Sequence, residues 1–82
     1  SVLAGLDTVS EAEQERLTEV AWAFARSGSI SKTAAQMYCH RNTVLNRLHR
    51  LEELTGHDIT VPADAALLLL AFLTSRPEAI SN

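Results

Sequence analysis

The sequence is poor in the residues that cross-link, break or rigidify a chain. Its 82 residues include one cysteine, two prolines, three glycines and four aromatic side chains. Because a lone Cys39 cannot form an internal disulfide, we expect a reducing, cytoplasmic environment. The few Gly and Pro argue against a disordered chain, and the excess of Ala and Leu over Val, Ile and aromatics favours helices over sheet.

Long hydrophobic runs are missing as well. The longest uncharged apolar run, Ala65 to Leu73, has nine residues, whereas a membrane-spanning helix needs about 20. No signal peptide is visible, so we expect no membrane contact. The 46% hydrophobic content and the short length indicate one small packed domain.

Acidic residues are absent from the middle of the chain, although the protein carries ten acids and seven bases. Five acids lie from Asp7 to Glu19 and five from Glu52 onward, so that none falls between Ser27 and Arg50. A net charge of −3 does not by itself suggest nucleic acid. The arrangement nevertheless predicts a basic surface between acidic ends. The cations of this segment are Lys32, Arg41, Arg47 and Arg50.

Helix start and stop signals predict four helices, near residues 10–27, 31–38, 41–55 and 62–75, and hence an all-α fold. A short extended link through Ile59 and Val61 is expected before the last helix. Trp22 lies off the apolar stripe of the first helix, so it packs on another element or faces a partner. The signals are Ser10 with Glu13 as a capping box, Gly28, Ser31 as an N-cap, Gly56, Pro62 and Pro77.

Hydrophobic spacing predicts which faces of these helices are buried. In the fourth helix, Leu67 to Leu70 with Phe72 and Leu73 are apolar on nearly all sides. Two interpretations remain open: the helix closes the core, or one side also meets a second copy or an N-terminal domain. In the other helices the inward residues are Leu17, Val20, Ala21 and Phe24, then Ala34, Ala35 and Met37, then Val44, Leu48 and Leu51.

The outward face of the third helix has the chemistry needed to enter a DNA major groove. Asn can read adenine bidentately and Arg can read guanine, while an apolar side chain such as Leu45 can touch a thymine methyl. A carboxylate here would repel phosphates. The outward face comprises Asn42, Asn46, His49 and Glu53, with Arg41 and Arg47 at its borders.

A short helix, a tight break and a longer polar-faced helix together predict a helix-turn-helix. We predict that Arg41, Asn42 and Asn46 read bases in double-stranded DNA. Residues at helix starts and helix borders would hold phosphates. These are Ser31, Lys32, Thr33, His40, Thr43, Arg47 and Arg50. The predicted domain covers 10–76, with an N-terminal arm or linker at 1–9 (Ser1 being native or a cloning remnant) and a tail at 77–82.

The same residues are compatible with functions other than DNA binding. A solvated, arginine-bearing helix face is common, and such a face could instead dock an acidic protein partner such as RNA polymerase. Binding to duplex DNA that weakens as salt is added would distinguish DNA binding from docking to a protein. Cys39, His40 and His49 match no zinc spacing and form no plausible nucleophile pair, while His57 is expected as a surface histidine. We expect no metal, no cofactor and no enzymatic activity.

The segment from Ser29 to Gly56 also resembles the C-terminal helix-turn-helix domain of the PucR family of bacterial transcription regulators, which includes the sugar-diacid regulators. The combination of "HRNT" at His40–Thr43 and "LEELTG" at Leu51–Gly56 is its specific part. The match is strong from about Arg26 to Gly56, and a Leu-rich last helix is typical of the family. The matching positions are Ser29, Ile30, Thr33, Ala34, His40, Arg41, Asn42, Thr43, Arg47, Leu48, Glu52, Leu54, Thr55 and Gly56.

The resemblance implies a DNA-binding module at the end of a longer regulator, whose missing N-terminal part senses a signal. Members usually act as activators, often as dimers or higher oligomers. Leu45 and Asn46 depart from the family pattern, so no target sequence carries over. Cys39 replaces the usual Val or Ile, a role that a small free thiol can fill. Tyr38 occupies a turn position where other helix-turn-helix proteins often have Gly.

Overall fold

A computed structural model describes residues 2–75. Within them, a 3-10 helix at Ala4–Thr8 precedes four α-helices: α1 (Glu11–Ser27), α2 (Ile30–Gln36), α3 (Arg41–Thr55) and α4 (Pro62–Thr74). The predicted all-α, four-helix fold with its helix-turn-helix is confirmed. Pro77 and the predicted tail at 77–82 lie outside the described residues.

The ends of α1 follow the predicted signals. Ser10 is extended, and its hydroxyl oxygen accepts a hydrogen bond from the Glu13 amide at 3.1 Å, which satisfies one of the free amides of the first turn. Gly28 ends the helix with a positive φ of 67° and donates to the Phe24 carbonyl. The carboxylate of Glu13 extends away from the helix end and contacts Arg50 of α3.

The core lies where α1, α2 and α3 meet, and α4 covers it. The buried faces of α1 and α3 are the predicted ones, except that Phe24 is only half-buried and Ala23, which was not predicted, is buried. In α2, Ala34 is buried, but Ala35 is exposed and Thr33 is buried in its place. The fully buried large side chains are Leu17, Val20, Thr33, Val44, Leu51 and Leu68.

The 3-10 helix at Ala4–Thr8, in the segment predicted as an arm or linker at 1–9, packs against the α-helices. Leu6 is buried in the core, and the 3-10 helix around it contacts α3. Gly5 lies so close to the end of α3 that a β-carbon at this position would overlap the Leu54 carbonyl oxygen. A single helical turn is too short to show a periodic pattern, so no feature of the sequence predicts this contact.

The segment between α3 and α4 contains a turn at Ile59, where an extended link was predicted, while Val61 has the predicted extended backbone, with φ −95° and ψ 120°. The Asp58 carboxylate accepts from the Thr60 amide at 2.9 Å and from its hydroxyl at 2.7 Å, which is the geometry of an Asx-turn. Ile59 is buried and Val61 is exposed. Pro62 opens α4 as predicted.

The first turn of α4 is tied to this turn by Asp64. Its carboxylate accepts a hydrogen bond from the Asp58 amide at 3.0 Å and lies 3.3 Å from His57 Nδ1. The amide bond and then the His57 contact hold the pKa of Asp64 below its ordinary value of 3.8, because both favour the charged carboxylate.

Helix α4 has one buried side and one free side. Leu68 and Phe72 are in the core, whereas Leu67, Leu70 and Leu73 are 46%, 60% and 57% exposed. The prediction that α4 closes the core is therefore confirmed, and an apolar face also remains uncovered. Trp22 is half-buried against the core beside Phe72 and Leu73. In residues 2–75, no helix has the length and apolar character to cross a membrane.

Replacing Asp64 by Asn should lower the free energy of unfolding at neutral pH. Because the folded-state pKa of Asp64 is lowered, its carboxylate stabilises the fold fully above pH 3.8, and this contribution is lost as the pH falls through the lowered value. Urea unfolding measured from about pH 7 to about pH 2.5 should show the wild-type advantage shrinking with acidification.

The matched control is Asp7→Asn, at an exposed acid of the 3-10 helix. It should leave the free energy of unfolding nearly unchanged across the same pH range. A wild-type advantage over Asp64→Asn that stayed constant with pH would contradict the assigned role of the carboxylate.

Candidate nucleic-acid interface

The N-cap of helix α2 lies two residues earlier than predicted, at Ser29 in place of Ser31. Ser29 is extended, with φ −144° and ψ 130°, and its hydroxyl oxygen accepts from the Lys32 amide at 3.1 Å. Ser31 lies inside the first turn and is exposed, as is Lys32. Both residues still lie at the start of α2, where phosphate contacts are predicted.

Thr33 faces the core, and the structure does not support its predicted phosphate contact. Its side chain is fully buried, and its hydroxyl donates to the Ser29 carbonyl at 2.7 Å and lies 2.9 Å from the Ser27 hydroxyl. Ser27 in turn accepts from the Ser29 amide. These hydroxyls join the end of α1 to the start of α2, so Thr33 fixes the angle between the two helices.

The turn between α2 and α3 is a Schellman motif closed by a residue other than glycine. The Cys39 amide donates to the Ala34 carbonyl at 3.0 Å and the Tyr38 amide to the Ala35 carbonyl at 3.3 Å, which is the hydrogen-bond pattern of that motif. Tyr38 has the left-handed φ of 55°, and its side chain is 96% exposed. Cys39 packs partly buried against the core, as predicted for a residue replacing Val or Ile.

The first turns of α3 expose polar side chains to solvent. His40 occupies the N-cap position with an extended backbone, but its side chain makes no cap hydrogen bond. Burial of Val44, Leu48 and Leu51 turns the opposite face to solvent. The exposed residues from Arg41 to Arg50 are Arg41, Asn42, Asn46, His49 and Arg50, while Thr43, Leu45 and Arg47 are half-buried at the borders of this face.

Arg50 differs from the other predicted phosphate-binding residues because it is already paired. Its Nε lies 3.3 Å from Glu13 Oε2 of α1, and its Nη1 lies 3.8 Å from Glu53 Oε1. Both pairs are partly solvent-exposed, so each stabilises the fold only weakly, by about 0–1 kcal/mol. The sequence could not show this contact, since Glu13 and Arg50 are 37 residues apart.

One residue beside this surface was missed by the sequence analysis. Arg16 of α1 lines a groove together with Asn46, Arg47 and Arg50 of α3. Its place in an acidic stretch concealed it, because the local charge pattern indicated only a solvated helix. Within residues 2–75, no group of three or more His, Cys, Asp or Glu side chains is placed to hold a metal ion.

Comparison with known families decides the identity of this fold. The family model described as the PucR C-terminal helix-turn-helix domain matches residues 17–74, which is well over half of the chain and runs from α1 to the last residue of α4. The chain belongs to this family. The match includes α4 as well as the helix-turn-helix itself, so the Leu-rich helix is part of the PucR-type domain.

Curated relatives of this PucR-type domain come from several bacteria. The chain is 34% identical over 93% of its length to the purine catabolism regulatory protein of Bacillus subtilis, and 42% identical over 68% to the transcriptional activator PmfR of Paenarthrobacter nicotinovorans. An uncharacterized protein of Mycobacterium tuberculosis is 43% identical over 54% of the chain. The matched part spans 14%, 12% and 11% of these relatives. No solved structure matches the chain significantly.

Replacing Tyr38 by Gly should raise the free energy of unfolding by about 0.5–1 kcal/mol, because glycine removes the steric cost of the left-handed conformation at this turn. In a domain of this size, that gain corresponds to a rise in Tm of a few degrees, roughly 2–8 °C. Urea and thermal unfolding, followed by circular dichroism, measure it.

Tyr38→Ala serves as the control. It removes the exposed ring but keeps a β-carbon at the positive φ, so its stability should stay close to that of the wild type. Equal stabilisation by Ala and Gly would show that the ring, and not the backbone conformation, carries the cost.

Proposed function

We propose that this PucR-type domain binds double-stranded DNA sequence-specifically, with α3 in the major groove. The observation that carries the proposal is the exposed face at the start of α3. It presents Arg41, Asn42 and Asn46, which are the side-chain types that pair with base edges. No Asp or Glu occurs from Ser27 to Arg50, so the first three turns of α3 carry no charge that would repel phosphate.

The dimensions of α3 suit this role. Its fifteen residues span about 22 Å at ~1.5 Å per residue. The B-DNA major groove is about 12 Å wide and admits a helix of this kind. Since Val44 and Leu48 hold the helix against the core, its polar side is presented on a rigid support, which favours specific recognition over adaptable contact.

Residues near the base-reading side chains would bind the flanking phosphates. Ser31 and Lys32 are exposed at the start of α2, while His40 and Thr43 stand at the start of α3 and Arg47 at its border. Backbone amides at helix starts add favourable donors for anions. Thr33 is left out of this set because it is buried.

We infer that the parent protein is a cytoplasmic bacterial transcription regulator larger than this domain. The matched relatives are about seven to nine times longer than the matched part, and two of them carry names that describe regulators. In this proposal, a preceding sensory domain receives the signal and brings two or more copies of the DNA-binding domain together.

The experiment that tests the proposed function is selection from a randomised duplex pool, with two copies of the domain fused and at near-physiological salt. Enrichment of two related half-sites about one helical turn apart is the expected result. A folded protein that enriches no sequence would overturn the proposal and favour docking to an acidic protein partner, such as RNA polymerase.

On the selected site, Asn42→Ala should cost about 1–3 kcal/mol of binding free energy and relax the preference at one base position. Lys32→Ala is the matched comparison. It should weaken binding to selected and random DNA alike, and lower the salt slope by about 1. Titrations of both duplexes by fluorescence anisotropy measure these effects. Equal losses on both duplexes for Asn42→Ala would remove it from the base-reading residues.

A further inference from the structure

A groove between α1 and α3 joins the polar face of α3 on one side. It has a volume of about 240 Å³ and is lined by Glu13, Arg16, Leu17, Asn46, Arg47 and Arg50. Asn46 belongs both to this groove and to the exposed face of α3. A helix seated in the major groove through Asn46 therefore brings the groove next to the DNA backbone.

The charge of the groove is positive. Three guanidinium groups face one carboxylate, that of Glu13, which pairs with Arg50. Arg50 pairs with Glu13 in this groove and also with Glu53, which does not line it, whereas Arg16 and Arg47 take part in no ion pair of residues 2–75. Planar guanidinium groups bind phosphate bidentately, so two adjacent arginines suit a phosphate ligand.

Helix α1 sorts its charges between its two sides. Arg16 and Glu13 line the groove beside α3, while the other three acids of α1, Glu11, Glu15 and Glu19, line a different groove, beside Trp22 and α4. Arg16 is the only cation from residue 2 to residue 25. Its position on the side of α3 therefore sets it apart from the surrounding acidic surface.

We propose that the groove between α1 and α3 is a binding site for a DNA phosphate, in which Arg16 of α1 acts with Arg47 of α3. The site rests on the proposed function, since it takes a backbone phosphate flanking the bases that α3 contacts. It adds a phosphate contact from α1 to the DNA contacts proposed for α2 and α3.

Glu13 sets the strength of this site. Its carboxylate holds Arg50 by Nε at 3.3 Å and places a negative charge at the edge of the groove. Two consequences oppose phosphate binding: one cation is partly neutralised, and the entering phosphate is repelled. A glutamine at this position keeps the hydrogen bond from its backbone amide to the Ser10 hydroxyl and removes the charge alone.

Anisotropy titrations of the fused dimer with selected and random duplexes, over about 50 to 200 mM salt, test the site. Arg16→Ala should weaken binding to both duplexes about fivefold per domain at ~150 mM salt and make the salt slope shallower by about 0.9 per domain, the contribution of one phosphate. Arg16→Lys should keep the slope, because the charge remains. Since Arg16 is exposed, urea unfolding should show unchanged stability.

Glu13→Gln should have the opposite effect, tightening both duplexes several-fold. Its control is Glu15→Gln, an exposed acid that lines the other groove and should change affinity less. If the wild type binds and enriches a sequence but Arg16→Ala matches it in affinity and salt slope, the phosphate site is wrong while the proposed function stands. If the wild type shows no salt-dependent duplex binding, the proposed function itself fails.

Discussion

Core packing fixes the rotation of α3 about its own axis, and the composition of the exposed face of α3 depends on that rotation. Val44, Leu48 and Leu51 are almost completely buried and share one side of the helix. A turn of one residue, about 100°, would expose apolar side chains worth about 1.5–3 kcal/mol each and push amides into the core. Packing of the apolar side against the core therefore fixes which side chains of α3 are exposed to solvent.

A second junction fixes where α3 lies relative to the supporting helices. The hydroxyls of Ser27 and Thr33 lie 2.9 Å apart at the corner between α1 and α2, and the Schellman turn then carries the chain into α3. Short connections of this kind leave little freedom in the angle between helices. Side chains from α1, α2 and α3 can consequently act on one ligand without any rearrangement of the backbone.

Much of the architecture could be predicted because it depends on local patterns. The 3.6-residue period of α3 identified its buried side, and Gly28 and Gly56 marked two helix ends. Features that depend on tertiary contact could not be predicted. Two serines compete to cap α2, and only packing that buries Thr33 selects Ser29. The Glu13–Arg50 pair and the place of Arg16 arise from the crossing of α1 over α3, which no short window contains.

The contact of Gly5 with the end of α3 has a mechanical consequence. Because the 3-10 helix packs directly on the Leu54 backbone, Ala4–Thr8 and the end of α3 move together. A force that pulls on the 3-10 helix is therefore borne by α3 and is not absorbed by a free arm.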